Sequence, residues 1–353
     1  MNIVANFLLK IKTFLFYELE GEKKIVDNKL AVVPVAPVVK FNEKKPMRQR
    51  IKEFIVDYKR QWEIQSMVIP GIIFMIIFCF IPIYGLSIAF KNYTVIDTLD
   101  SAPWVGLDNF KIILSDKYFW DAVVNTLGIS FLKLGIGFII PIILAIMIYE
   151  LNGGRFKKFV QTVSYLPHFL SWIVLGGMLI TWFSTTGLFN ELLLNIGLIS
   201  KPQNILLDAG KYWWIATLSD IWKEVGWGTI LYLAIMSKID PTFYEAAKID
   251  GASRIRQIWN ITIPNMKSII SLNLILTVSG LLGSNLDQTL VLMNSQNRVK
   301  AEVINSYVYR MGMTQGDFSY ATAVGLGVSI VSVILLVTAN KVSSKLNDNQ
   351  SVL

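Results

Sequence analysis

The feature that most restricts this chain is the distribution of its apolar residues, which gather into six runs of more than 20 residues at about 66–90, 121–149, 160–184, 212–237, 266–292 and 319–340. As helices, each is long enough to cross a hydrocarbon core of about 30 Å. Hydrophobic residues make up 53% of the 353, and charged residues only 16%, against roughly a quarter in a soluble domain. A water-soluble globular fold is excluded. The expected architecture is all-α, a polytopic integral membrane protein with six transmembrane helices. The one cysteine, Cys79, lies inside the first run, so the chain can build neither an internal disulfide framework nor a Cys-based metal site. The one histidine, His168, excludes an HExxH motif and histidine clusters, and no metal site is expected.

The net charge of +8 would suggest nucleic acid in a soluble protein. Here the cations sit between apolar runs, where they set orientation. Connecting segments on the N-terminal side carry 15 Lys/Arg, and those on the other side 8. That excess places both termini in the cytoplasm of a multi-pass plasma-membrane protein, with no nucleic-acid partner. Trp213 and Trp214 then start the fourth run at the outer headgroup layer, where an aromatic belt is expected.

Residues 1–65 form a polar, basic extension with 13 Lys/Arg against 8 Asp/Glu. Ile3, Val4, Phe7, Leu8, Ile11, Phe14 and Leu15 recur at helical spacing, while Lys10 and Lys12 interrupt any signal-peptide core, so an interfacial amphipathic helix on membrane lipid is expected. The prolines of 31–39 read as an extended linker, and a second basic helix, Arg48 to Trp62, leads to the membrane. The transmembrane domain is set at 66–345 and a cytoplasmic tail at 346–353.

The most informative stretch lies within 238–265, between the fourth and fifth runs. Tyr244 to Ile249 reads as a helix, Asp250-Gly251 as a turn in which Gly takes positive φ, and Ala252 to Thr262 as a second amphipathic helix stopped by Pro264. Two short helices at an angle make a knob. Ala246 and Ala247 keep it thin enough to enter a cleft on another protein, Glu245 favours the helix start, and Arg254 and Arg256 suit acidic partners or headgroups. The alternative is a loop lying on the membrane surface.

Here the sequence resembles the permease subunits of binding-protein-dependent ABC importers, whose signature loop has the spacing EAA, three residues, Gly, nine residues, Ile-x-Leu-Pro. Glu245, Ala246, Ala247, Gly251, Ile261 and Pro264 match; Ile263 replaces Leu and preserves an apolar contact. The resemblance implies the type I ABC importer permease fold and, for 245–264 with Asp250 and Ala252, the coupling element that docks into an ATP-binding subunit. It covers roughly residues 66–345. PWVGLDNF (103–110), SYLPHF (165–170), IWKEVGWG (221–228), IDPTFYEAAKIDGA (239–252) and FSYATAVGL (318–326) look like permeases for oligosaccharides released from polysaccharides. The maltose-importer permease is a more distant likeness.

No GxxxxGK[ST] loop occurs in the chain, so ATP and Mg must be bound by separate subunits and this chain carries no cofactor and no catalytic residue. The resemblance implies a second homologous permease, two ATP-binding subunits, an extracellular solute-binding protein and an oligosaccharide substrate. Ala321/Gly325 and Ala323/Gly327 allow close helix approach, within this subunit or against its partner.

Charges inside the runs are costly and usually face an interior or a water-filled path. Asp220 and Lys223 are three apart and can pair, which leaves Glu224 either lining a cavity or touching another helix. Lys133 pairs or snorkels, and His168 is expected to pack at a kink. On the fourth run Asp220, Glu224 and Trp227 follow helical spacing. On the fifth, Asn273, Thr277, Ser284 and Gln288 would share one face over about 22 Å of a continuous helix. A carboxylate and an indole suit a sugar, so Glu224, Trp227, Asn273, Thr277, Ser284 and Gln288 are the candidate substrate path. Peptides or other small solutes are the alternative substrates. From other classes, an ion-coupled transporter would lean on Glu224 and Asp287, and an intramembrane enzyme lacks a nucleophile and base pair.

Overall fold

The computed structural model describes residues 62–151, 153–283 and 286–346. The amphipathic helix expected near the N-terminus, the 31–39 linker, nearly all of the second basic helix and the end of the tail lie outside the described residues, as does Ser284. By its contacts the chain divides between Pro70 and Gly71. Among the described residues the structure is helical, with one isolated antiparallel bridge between Lys91 and Trp104.

Helix α1 (Ile69–Met75) continues through a π turn (Ile76–Phe80) into a 3-10 stretch (Ile81–Phe90). After α2 (Asp108–Ser115) come α3 (Lys117–Leu132) and α4 (Ile139–Glu150), joined through a π turn at Lys133–Gly137. Next follow α5 (Gly154–Tyr165), α6 (Trp172–Trp182), α7 (Leu188–Asn195) and the 25-residue α8 (Tyr212–Met236). The remaining elements are α9 (Pro241–Ile249), α10 (Arg254–Gln257), α11 (Ile263–Ser279), α12 (Leu286–Leu292), α13 (Arg298–Ala301), α14 (Ile304–Tyr309) and α15 (Phe318–Leu346).

Four helical stretches among the described residues are long and apolar enough to cross a membrane: Ile69–Phe90, Lys117–Glu150, Arg254–Ser279 and Phe318–Ser343. A fifth is the bent pair Gly154–Phe169 and Trp172–Trp182. Helix α8 has the length but carries Asp220, Lys223 and Glu224 near its centre, which keeps it out of that set. Of the six expected spans, four, or five with the bent pair, are of this kind among the described residues. Two runs are broken.

The third run turns through 96° because Pro167 closes a short 3-10 turn, Leu170 is extended, and Ser171 accepts the Val174 N–H to start a new helix. The fifth run ends at Ser279, where Gly280 terminates α11 and a turn to Gly283 follows. The break leaves carbonyls without helical partners, and the Ser130 hydroxyl donates to that of Leu281. The 22 Å polar stripe from Asn273 to Gln288 consequently does not exist as one helix face.

Three clusters hold the helices together. One joins α6, α8, α12 and α13 through Leu175, Tyr212, Ile215, Leu292 and Ala301. Another joins the 3-10 stretch that follows α1 to α3, α14 and α15 through Ala89, Ala122, Tyr307, Tyr320 and Ala323. The third joins α4, α8 and α11 through Ala145, Tyr232, Met236 and Met266. Trp213 belongs to the first rather than to a membrane belt, since its indole N–H donates to the Lys300 carbonyl at 2.9 Å; Trp214 is exposed. Of the small-residue pairs on α15, Ala321 and Ala323 are buried within this chain, whereas added Cβ atoms at Gly325 and Gly327 would meet nothing. Asp116 caps α3 and accepts hydrogen bonds from Tyr307 and Tyr320. Burial opposes ionisation there, but these hydrogen bonds with that of the Tyr118 N–H hold its carboxyl below the usual range.

Gly226 on α8 packs directly on the backbone of α5, where an added Cβ would collide with the Ser164 carbonyl. Gly226→Val should therefore separate the two helices and cost on the order of 1–3 kcal/mol or more. Gly177→Ala, inside α6 with nothing around the added Cβ, should be neutral to stabilising by up to about 1 kcal/mol. Thermal unfolding of the detergent-solubilised protein checks the contrast, and equal midpoints for the two variants would contradict it.

Candidate functional site

The charges of α8 open onto a cleft of about 310 Å³ between α4, α8 and α11. Asp220 and Glu224, one turn apart, line it from α8, Asn273 and Thr277 from α11, and Lys133 from the π turn that precedes α4. A π turn inserts one residue into the helical register and is frequent at functional sites. Here it places Lys133 against α8. Its ammonium lies 3.1 Å from Asp220, with side chains only 20% and 17% exposed, and 3.4 Å from the side-chain Oε1 of Gln288.

The expected Asp220–Lys223 pair is corrected accordingly: Asp220 pairs across to Lys133, and Lys223 pairs with its neighbour Glu224 at 2.7 Å. Glu224 is not alone. Its second oxygen lies 2.6 Å from Nδ1 of His168, and Lys223 also donates to the His168 carbonyl at 2.8 Å. The His168 ring stacks on Trp227 at 4.3 Å with an interplanar angle of 6°. His168 thus packs at the bend after α5, as expected, and also fastens that bend to α8 by hydrogen bonding and by stacking.

Of the candidate path residues, the structure brings Glu224, Asn273 and Thr277 to the cleft. Trp227 does not line it, because one face of its ring is covered by His168 and Phe169 packs edge-on at 5.9 Å. Gln288 is buried, its amide donating to the Ala216 carbonyl and the Ser219 hydroxyl at 2.7 and 2.9 Å. It serves packing between α12 and α8 rather than a path. Lys133 and Tyr232 were missed as cleft residues; Asn273 donates to the Tyr232 hydroxyl at 3.1 Å. The signal for Lys133 was present in two opposite charges at the centres of different runs. Asp287 lies exposed in the first turn of α12, away from the cleft.

The 238–265 segment forms a second feature. Asp240 caps α9 by accepting the Thr242 N–H, with Pro241 in the first turn. Gly251 has φ +71°, its N–H donating to Lys248 and that of Ala252 to Ala247, the paired bonds of a Schellman ending. Ser253 then caps α10. The second helix does not stop at Pro264 as expected. It runs from Arg254 through a π turn at Ile258–Thr262 into α11, so the missing proline N–H falls at the first turn of that stretch. Tyr244 bonds to Thr262 at 3.0 Å and packs on the third cluster, so α9 is moored to α11. Glu245 and Ala246 are exposed, and Phe243, Ile249, Ile255 and Trp259 present a bare apolar surface, Ile249 being 87% exposed.

Residues 137–347, which hold both features except for Lys133, match the family of binding-protein-dependent transport system inner membrane components. The chain belongs to this family. Over 319 residues it is 38% identical to the polygalacturonan/rhamnogalacturonan transport system permease protein YteP of Bacillus subtilis (strain 168), covering 90% of this chain and 97% of that one. Protein LplB of the same organism is 38% identical over 288 residues, 81% of this chain and 90% of its own length. The fold is that of solved family members. In the crystal structure of a bacterial ABC transporter involved in the import of the acidic polysaccharide alginate, the matching chain is 35% identical with a TM-score of 0.77, covering 83% of this chain and 99% of that one.

The cross-helix pair yields a stability prediction. Lys133→Met leaves Asp220 largely buried without its cation and should cost about 3–5 kcal/mol. Lys133→Met combined with Asp220→Leu removes both charges and should recover most of that loss. Thermal unfolding of the single and double variants measures the difference; additive losses would show that the pair is not coupled.

Proposed function

We propose that this chain is the membrane-spanning permease subunit of an ATP-driven importer of oligosaccharides. The observation that carries the substrate class is likeness along nearly the whole length to a permease named for polygalacturonan/rhamnogalacturonan transport, at 38% identity. Support comes from the likeness to an alginate ABC transporter solved with an alginate pentasaccharide-bound periplasmic protein, at 35% identity and a TM-score of 0.76, over 82% of this chain and 96% of that one.

In this reading the complex contains a second homologous permease, two ATP-binding subunits that hold ATP and Mg, and an extracellular solute-binding protein. Both termini are cytoplasmic, as the excess of Lys/Arg on that side favours. Helix α9 and the turn after it, with Glu245, Ala246, Ala247, Asp250, Gly251 and Ala252, dock into an ATP-binding subunit through the exposed apolar surface around them. Ile261 and Pro264 lie where the knob joins α11. ATP binding closes the partner subunits, α9 moves with them, and the two permeases rock between inward- and outward-facing states. Glu224, Asn273 and Thr277 form part of the sugar path, with Trp227 holding His168, and through it Glu224, in place.

Gly251→Val tests the coupling role. Its φ of +71° strains any β-branched residue, while the space around an added Cβ is open, so the effect acts on backbone placement alone. The complex reconstituted with this variant should lose most of its binding-protein-stimulated ATPase activity and uptake while still inserting. Wild-type stimulation would exclude the docking role. Glu224→Gln should lower oligosaccharide uptake at least several-fold with assembly intact, measured in proteoliposomes; unchanged uptake would remove Glu224 from the path.

A further inference from the structure

Apart from the cleft, a second polar pocket opens at the other end of α3. Its volume is about 380 Å³, within the range of roughly 300–1,000 Å³ that small-molecule sites occupy. Tyr118 and Asp121 line it from the first turns of α3, Ser295 from the turn after α12 and Arg298 from α13, with Glu302 and Arg310 behind them. Tyr118 lies about 22 Å along the helix from Lys133 of the cleft. Helix α8 begins at this end, where Trp213 bonds to the Lys300 carbonyl, and finishes at the α9 knob. In the proposed orientation the pocket is therefore extracellular.

Its back wall is closed. The Glu302 side chain, 9% exposed, accepts from Arg310 at 2.8 and 3.2 Å, and Asn125 donates to the Glu302 and Val299 carbonyls. Its front is open. Arg298 gives one N–H to Glu302 at 3.2 Å, its side chain is 44% exposed, and its remaining donors have no partner among the described residues. Asp121 is exposed and has neither a hydrogen-bond nor an ion-pair partner among them. Tyr118 is 69% exposed.

We propose, building on the oligosaccharide reading, that this pocket is a second saccharide site, which holds one ring of the incoming glycan before it reaches the cleft. The ring packs a face on Tyr118, its hydroxyls donate to Asp121, and its oxygens accept from Arg298. A hydroxyl both donates and accepts, so a sugar satisfies the carboxylate and the guanidinium at once. An acidic side chain of a docking protein would suit Arg298 but face Asp121, and a basic one the reverse. Arg310 stays on Glu302 throughout, so Arg298 turns to the ligand without leaving a buried carboxylate bare.

The test uses the assembled, nucleotide-free complex with Ser295→Cys in a Cys79→Ser background, and follows labelling of this chain by a membrane-impermeant thiol reagent. The probes are galacturono-, xylo-, arabino- and galacto-tetrasaccharides. Without binding protein, at least one probe should slow labelling several-fold. Asp121→Ala and Arg298→Ala, each removing a hydrogen bond to a charged group, should raise the half-protecting concentration about tenfold. Glu224→Gln, in the cleft, should leave it unchanged. Val299→Cys, also in the pocket, serves if the thiol at 295 is unreactive; thiols unreactive at both positions would show a closed pocket and overturn the proposal. So would protection that the Asp121 and Arg298 variants leave unmoved, or protection by added binding protein but by no probe, which would assign the pocket to docking. No protection at all would overturn it as well. Uptake of a probe by proteoliposomes with binding protein would then leave the oligosaccharide reading standing, and uptake of none would count against that reading too.

Discussion

Three charges at the centre of α8 cannot face lipid without neutralisation, and the rest of the transmembrane arrangement is shaped by how they obtain it. Asp220 draws Lys133 from the α3–α4 span, and Glu224 draws His168 from the bend after α5 while keeping Lys223 beside it. The contacts to Lys133 and His168 join α8 to two different segments. In an apolar solvent such pairs are strongly directional, because the alternative partner is hydrocarbon. Glycine permits the approach that the ion pairs require, with Gly226 against the α5 backbone and Gly228 beside Pro141. The same residues that stitch the helices leave carboxylates facing the cleft. In the proposed function, the solute path and a structural staple share one set of side chains.

The second constraint sits at the other feature, the α9 turn. A Schellman ending at Gly251 and a cap at Ser253 set the angle between α9 and the helix that enters the membrane, and Tyr244 bonds α9 to that helix. In the proposed coupling, displacement of α9 passes to α11, whose far half carries Asn273 and Thr277 in the cleft. A rigid connection of this kind is what mechanical coupling between a cytoplasmic partner and a midmembrane site needs.

Much of this was legible in the sequence because it follows from local rules. Run length gave the membrane, Asp-Gly gave the turn and its positive φ, and the charges of α8 marked the polar wall. What escaped depended on partners far along the chain. The break after Ser279 hides inside an apolar run, since Gly280 and Gly283 end a helix only where a tertiary donor such as Ser130 accommodates the freed carbonyls. With the helix assumed continuous, Gln288 appeared to share a face with Asn273, yet it is buried against Ala216 and Ser219. His168 meets Glu224 across 56 residues, a separation that no periodicity reveals. The π turn at Lys133 changes a side chain's direction by one register step without any proline to announce it.

The central claim is that the α8 wall borders a solute path whose access alternates in the assembled transporter. Reaction with a membrane-impermeant thiol reagent tests it most directly, in a Cys79→Ser background that removes the chain's one cysteine. Thr277→Cys, which lies in the cleft, and Ile143→Cys, on the exposed apolar surface of α4, are compared in sided vesicles. The account predicts that Cys at 277 reacts from the cytoplasmic side without nucleotide and loses that access when a non-hydrolysable ATP analogue is bound, while Cys at 143 stays unreactive throughout. Equal inertness at both positions, or reactivity at 277 that ignores nucleotide, would contradict it.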